Sequence, residues 1–404
     1  MADDSSHSTN FWQIFIIFLR LGLTSFGGPV AHLGYFRAEF VARRRWLNER
    51  DFADLIALSQ FLPGPASSQV GLALGLARGG YAGALAAWLG FTLPSAILLI
   101  LFALGITHYG DVLPASALHG LKVVAVAVVA QAVWGMARHL CTDARRILIM
   151  LVAGSSVLLF STAWTQVVVI ASAGLAGLLL FRSISTDEDA VSHHLYNIQN
   201  NRRAGAIWLL TFSVLLLALP FIARGFPSHT LAVIDAFYRA GSLVFGGGHV
   251  VLPLLQTEVV PTGWVSEDAF LAGYGAAQAV PGPLFTFAAF LGASMQEFSS
   301  GWYGGFIALI AVFFPSFLLI AGALPFWNSW RGNPRVQAAL AGVNAGVVGL
   351  LLAALYNPVW TSAIHSVQDF FLALIALLAL TFWKLPPWLV VISCALASWG
   401  LSLW

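Results

Sequence analysis

Mostly apolar stretches long enough to cross a membrane follow one another through almost the whole chain. They lie near residues 11–27, 51–76, 80–107, 115–138, 146–160, 163–181, 204–223, 230–248, 266–293, 300–325, 334–356, 364–382 and 386–404. A helix needs about 17 to 25 such residues to span ~30 Å of hydrocarbon. A chain built this way can only be a bundle of membrane helices. With 59% hydrophobic and 9% charged residues, it lacks the charged quarter or so from which water-facing surfaces are made. The expected fold class is an all-α polytopic membrane protein. The run at 146–160 is short, and two others contain Pro-Gly-Pro and are open to a re-entrant reading, so the expectation is about ten to thirteen crossings.

The runs are duplicated. A shift of 219 residues lays Arg20 on Arg239, Gly22 on Gly241 and Glu39 on Glu258, while a shift of 218 lays Trp46 on Trp264, Phe52 on Phe270 and Gln60 on Gln278. Shifts of 221 and 222 pair Pro94-Ser95 with Pro315-Ser316 and Gly120 with Gly342. The expected organisation is a first repeat at 1–182, a polar linker with one extra helix at 183–229, and a second repeat at 230–404. If each repeat crosses six times, the one extra crossing inverts the second copy, an arrangement typical of secondary transporters. Loop arginines and lysines favour a cytoplasmic N-terminus, with the Arg43-Arg44-Arg45 run opposing that assignment.

Each copy carries two interruptions. Phe26-Gly27-Gly28-Pro29 and Pro63-Gly64-Pro65 recur as Phe245-Gly246-Gly247-Gly248 and Pro281-Gly282-Pro283. Glycine admits positive φ and leaves amides bare, so a helix can stop there and turn its N–H groups toward an anion. The prolines Pro29, Pro63, Pro65, Pro281 and Pro283 delete donors and break the helical ladder. Broken backbone at membrane depth is tolerated where it is buried or lines a wet cavity. Interruptions at matching places in two copies point to the binding site; close helix packing is the other use of such residues.

Arg20 and Arg239 lie midway along equivalent runs, and a buried arginine calls for a partner or a cavity. Two forked guanidinium groups suit an oxyanion; a bridge such as Arg239 with Asp235 is the alternative. Thr24, Ser25, Gln60, Ser67 and Gln278 are neutral donors near the breaks, able either to replace an ion's hydration or to join helices. Lys122 faces Asn344 in the repeat alignment, and together with His32 and Glu39 it is a candidate coupling group for proton movement. Snorkelling would equally explain the lysine, and a structural role the histidine. His249 is in the same position as His32 in this respect.

A net charge of +2 offers nothing for nucleic acid. Cys141 and Cys394 have no metal or redox spacing. Met1 to His7 lacks the basic region of a cleaved signal, so the first run is expected as a span. No Walker loop, zinc spacing, nucleophile elbow or dinucleotide motif occurs, which argues against ATP-driven pumping and against hydrolysis. No cofactor or metal is expected.

The runs Phe18 to Pro29 and Gln60 to Pro65, with their echoes at 239–247 and 278–283, resemble the chromate ion transporter family in its long, two-domain form. That resemblance implies an inner-membrane protein that moves chromate outward and confers chromate resistance. Expected partners are chromate or sulfate, protons and membrane lipid, and a homodimer is left open. Gly248 in place of Pro29, and Val280 in place of Leu62, question equal roles for the two halves. A sulfate carrier, a passive anion channel and a membrane-bound reductase are the rival readings, the last without any flavin, haem or metal signature.

Overall fold

The computed structural model describes residues 10–109, 114–160, 163–181, 202–226, 228–295 and 301–403. The polar linker expected from residue 183 lies outside them up to residue 201. In order, the helices are α1 (Phe11–Thr24), α2 (Gly28–Phe36), α3 (Glu49–Phe61), α4 (Ala66–Tyr109), α5 (Ala115–Leu140), α6 (Ala144–Leu159), α7 (Ala163–Leu180), α8 (Arg202–Gly225) and α9 (His229–Leu243). They continue as α10 (Val251–Val259), α11 (Glu267–Ala277), α12 (Phe287–Ser294), α13 (Gly301–Ala323), α14 (Trp327–Trp330), α15 (Pro334–Ala354), α16 (Val367–Thr381) and α17 (Pro387–Leu401). Among the described residues there is no strand, and five helical stretches are long and apolar enough to cross a membrane. The protein is an all-α polytopic membrane protein.

Local chemistry sets the helix ends. Asn48, Asp143, Ser266, Asn333 and Ser366 each accept a hydrogen bond from a first-turn amide of the helix that follows, satisfying donors that the helix itself cannot. The Arg-rich stretch read as a loop after Pro29 is instead helical. α2 runs on into a wide turn at Arg37–Arg43, where Glu39 takes Arg43 at 3.0 Å and Arg44 at 2.6 Å. The runs at 51–76 and 266–293 are each interrupted at the Pro-Gly-Pro, the first into α3 and the start of α4, the second into α11 and α12. At 1.5 Å per residue, α3 and α11 are each too short to span. α4 is one long element bent where Gly79 and Gly80 leave helical geometry.

Aligned glycines sit at close helix crossings. A side chain at Gly22 would strike the carbonyl of Phe91, and one at Gly241 the carbonyl of Val312, so α1 crosses α4 as α9 crosses α13. The later helices are exchanged between halves. Gly120 on α5 lies against Cys394 and Ala395 of α17, while Gly342 on α15 lies against Ala173 and Gly177 of α7. Each half's long helix is thus seated on the closing helices of the other. α8 has no counterpart and lies against α9 and α13.

Candidate functional site

α1 ends at Thr24 with Ser25 extended, and α9 ends at Leu243 with Val244 extended. The breaks then meet across the halves. The amide of Gly64 donates to the carbonyl of Val244 at 2.7 Å, and the amide of Gly282 donates to the carbonyl of Ser25 at 2.9 Å. Ser25 aligns with Val244 and Gly64 with Gly282 under the sequence offsets, so the two contacts join aligned positions. Gly64 and Gly282 hold φ of +128° and +104°, which side-chain-bearing residues rarely adopt. Their open sides face Ser316 and Ser95 respectively, another equivalent pair. Pro29 lies against Gly248.

Around this crossing the first half supplies polar side chains. His32, one turn into α2, faces Ser67 of α4 across 3.3 Å. Ser25, His32, Ser67, Ser68 and Gln69 are all buried. Gln69 donates to the Pro63 carbonyl at 2.7 Å, yet its Oε1, together with Ser25 Oγ, His32 Nε2 and Ser68 Oγ, has no partner. Buried polar atoms left unpaired cost free energy, so four of them in one region ask for a polar guest.

The other residues singled out from sequence fall elsewhere. Arg20 is exposed on the outer face of α1 beside Ile16 and Leu23, and its carbonyl accepts from Thr24 at 2.8 Å. Arg239 is clamped: Glu258 takes it through two hydrogen bonds of 2.8 and 3.1 Å, and Asp235 lies at 3.2 Å. With Arg224 and Trp264 these groups line a cavity of about 260 Å³. Of the two uses open to Arg239, the bridge is the one formed here. Lys122 pairs with Asp268 at 2.8 Å, in the second turn of α5 rather than among the breaks. Glu39 belongs to the Arg43 and Arg44 cluster already described. Gln60 is exposed, and Gln278 is half-buried with Nε2 unpartnered. Gly27 and Gly28, like Gly246 and Gly247, have positive φ. Asn344 Oδ1 lies near Gly246 without a partner, and His249 meets the Tyr274 hydroxyl at 2.7 Å. Outside the membrane, Arg37 grips Glu49 at 2.9 Å and holds its carboxyl below the usual range, tying the end of α2 to the start of α3.

Sequence reading passed over Ser95 and Ser316 as site residues. Their signal was present in the paired Pro94-Ser95 and Pro315-Ser316, but only the fold shows that each faces the other half's Pro-Gly-Pro.

The family model for chromate transporters matches residues 12–178 and again 231–399. The chain belongs to the chromate transporter family. It is 30% identical to a chromate transport protein of Pseudomonas aeruginosa over 347 residues, covering 84% of this chain and 79% of that one. It is 26% identical to a probable chromate transport protein of Synechococcus elongatus, covering 97% and 95%. A Bacillus subtilis protein named as the uncharacterized transporter YwrA is 34% identical over 165 residues, which is 40% of this chain but 90% of that one. A chain about one repeat long therefore exists separately. No solved structure matches. The transporter is an integral membrane protein of the bacterial inner-membrane type.

Proposed function

We propose that the transporter is a secondary carrier that moves chromate outward in exchange for protons, with the ion taken up where the four breaks cross. The observation that supports this most is the reciprocal pair of hydrogen bonds, Gly64 to Val244 and Gly282 to Ser25. They bring interrupted backbone from both halves to one buried place, beside side chains with unspent hydrogen-bonding capacity. Bare amides and hydroxyls there can replace the hydration shell of a tetrahedral dianion without a buried cation. A shift of one half against the other would open the crossing to alternate sides. Relatives carrying the name chromate transport protein span most of the chain, which favours chromate over other oxyanions.

Accumulation in cells tests the reading. Expression should lower the chromate content of cells and raise the chromate concentration they tolerate. Rescue of a sulfate-starved strain, with chromate content unchanged, would replace chromate by sulfate as the cargo.

A further inference from the structure

The two crossings are equivalent in backbone but not in chemistry, and the difference is systematic. With the offsets that align the breaks, Ser25 corresponds to Val244, His32 to Val251, Ser67 to Phe285, Ser68 to Thr286 and Gln69 to Phe287. All ten are buried. In the first half these positions hold the unpartnered atoms of Ser25, His32, Ser68 and Gln69. In the second half Val244, Val251, Phe285 and Phe287 belong to the main hydrophobic core, where Phe287 packs on Phe270, Tyr274 and Phe290. The one polar residue there, Thr286, is satisfied by the Pro283 carbonyl at 2.7 Å.

The helix starts differ as well. In the first half α2 and α4 begin directly as α-helices, at Gly28 and Ala66. The His32–Ser67 contact shows that their first turns lie side by side. In the second half the corresponding starts are tight 3-10 turns, Gly248–Val250 and Leu284–Thr286. Among the described residues, the first half thus presents two adjacent α-helical N-termini, whose free amides and dipole ends favour negative charge, with unpaired buried hydroxyl, imidazole and amide groups in or beside their first turns; in the second half the unpaired amide atoms of Gln278 and Asn344 lie outside the corresponding helix starts.

We infer that the transporter holds one tetrahedral oxyanion per chain, between the N-termini of α2 and α4, with Ser25, His32 and Ser68 as its side-chain ligands and Ser67 orienting His32. The matching place in the second half is a packed pivot that binds no ion. This rests on the oxyanion-transport reading and narrows it to one of two sites that sequence symmetry would make equal. With the Ser67 hydroxyl donating to Nδ1, His32 carries its proton on Nε2 and can donate it to the anion. Ser68 can donate its hydroxyl alongside the first amides of α4.

Calorimetric titration of the purified full-length protein with chromate, and separately with sulfate, tests the inference. One ion per chain is expected. Ser68→Ala should weaken binding about tenfold or more, the loss of one hydrogen bond to a charged group, without lowering Tm, because its hydroxyl has no partner to lose. A serine kept for structure would lower Tm instead. His32→Val should weaken binding likewise, while Phe287→Leu in the other half should leave affinity unchanged. Two ions per chain, or binding indifferent to both Ser68→Ala and His32→Val, would overturn the single-site inference and leave transport standing. Binding of sulfate but not chromate at one per chain, with the same variant pattern, would uphold the site and remove chromate as its cargo. No binding of either ion would sink both.

Discussion

Replacing Gly64 by alanine sets the crossing against a single methyl group. Gly64 sits at φ +128°, where a side chain is strained by about 1–3 kcal/mol. The added carbon would also collide with Ser316 Oγ and Gln69 Nε2. Moving Gly64 to relieve that collision stretches its 2.7 Å hydrogen bond to Val244, a further loss of about 0.5–1.5 kcal/mol. The total is about 1.5–4.5 kcal/mol. Gly28→Ala supplies the comparison: its φ is also positive, at +78°, but no atom lies within 4 Å of the new carbon, leaving only the left-handed penalty of about 1–2 kcal/mol. Thermal unfolding in detergent, followed by the fluorescence of the 15 tryptophans, should place the variants in the order wild type, Gly28→Ala, Gly64→Ala. Gly282→Ala, facing Ser95, should behave as Gly64→Ala does. If Gly64→Ala unfolds with or above Gly28→Ala, the cross-half contact does not hold the crossing together.

Other perturbations separate ion pairs from ligands. Glu258→Ala should destabilise by about 3–5 kcal/mol, because it strips Arg239 of its bidentate partner in a mostly enclosed site; Arg239→Met combined with Glu258→Leu should recover most of that loss, measured by unfolding in the same detergent. Asp268→Asn should change stability by no more than about 1 kcal/mol, since the Asp268 side chain is 76% exposed and exposed pairs contribute little. Arg20→Ala should leave both folding and chromate flux in vesicles intact, because Arg20 is exposed on the outer face of α1 away from the crossing; a loss of flux would put Arg20 back in the path.

Much of the architecture was legible because its physics is local. Apolar runs of crossing length, and glycine and proline at repeated offsets, mark where helices form and stop regardless of what they touch. The helical turn at Arg37–Arg43 was hidden, since four arginines within nine residues read as a solvated loop until Glu39 is seen gripping two of them. Arg239 was readable only as far as Asp235 one turn away. Glu258 joins it from α10, a contact that spacing along the chain does not contain. The exchange of long helices between halves, and the way each Pro-Gly-Pro docks into the other copy, likewise arise from tertiary packing. The polar set at Ser25, His32 and Ser67 could be named from its nearness to the breaks. That its second-half equivalents are packed core emerges once burial is known for both copies.

Radiolabelled chromate flux through the purified protein in proteoliposomes, with and without an imposed pH gradient, bears most directly on the account. Chromate should move against its own gradient when protons run the opposite way, stop when a protonophore collapses the pH difference, and be lost with Gly64→Ala. A flux that only follows the chromate gradient, indifferent to pH and to Gly64→Ala, would contradict it.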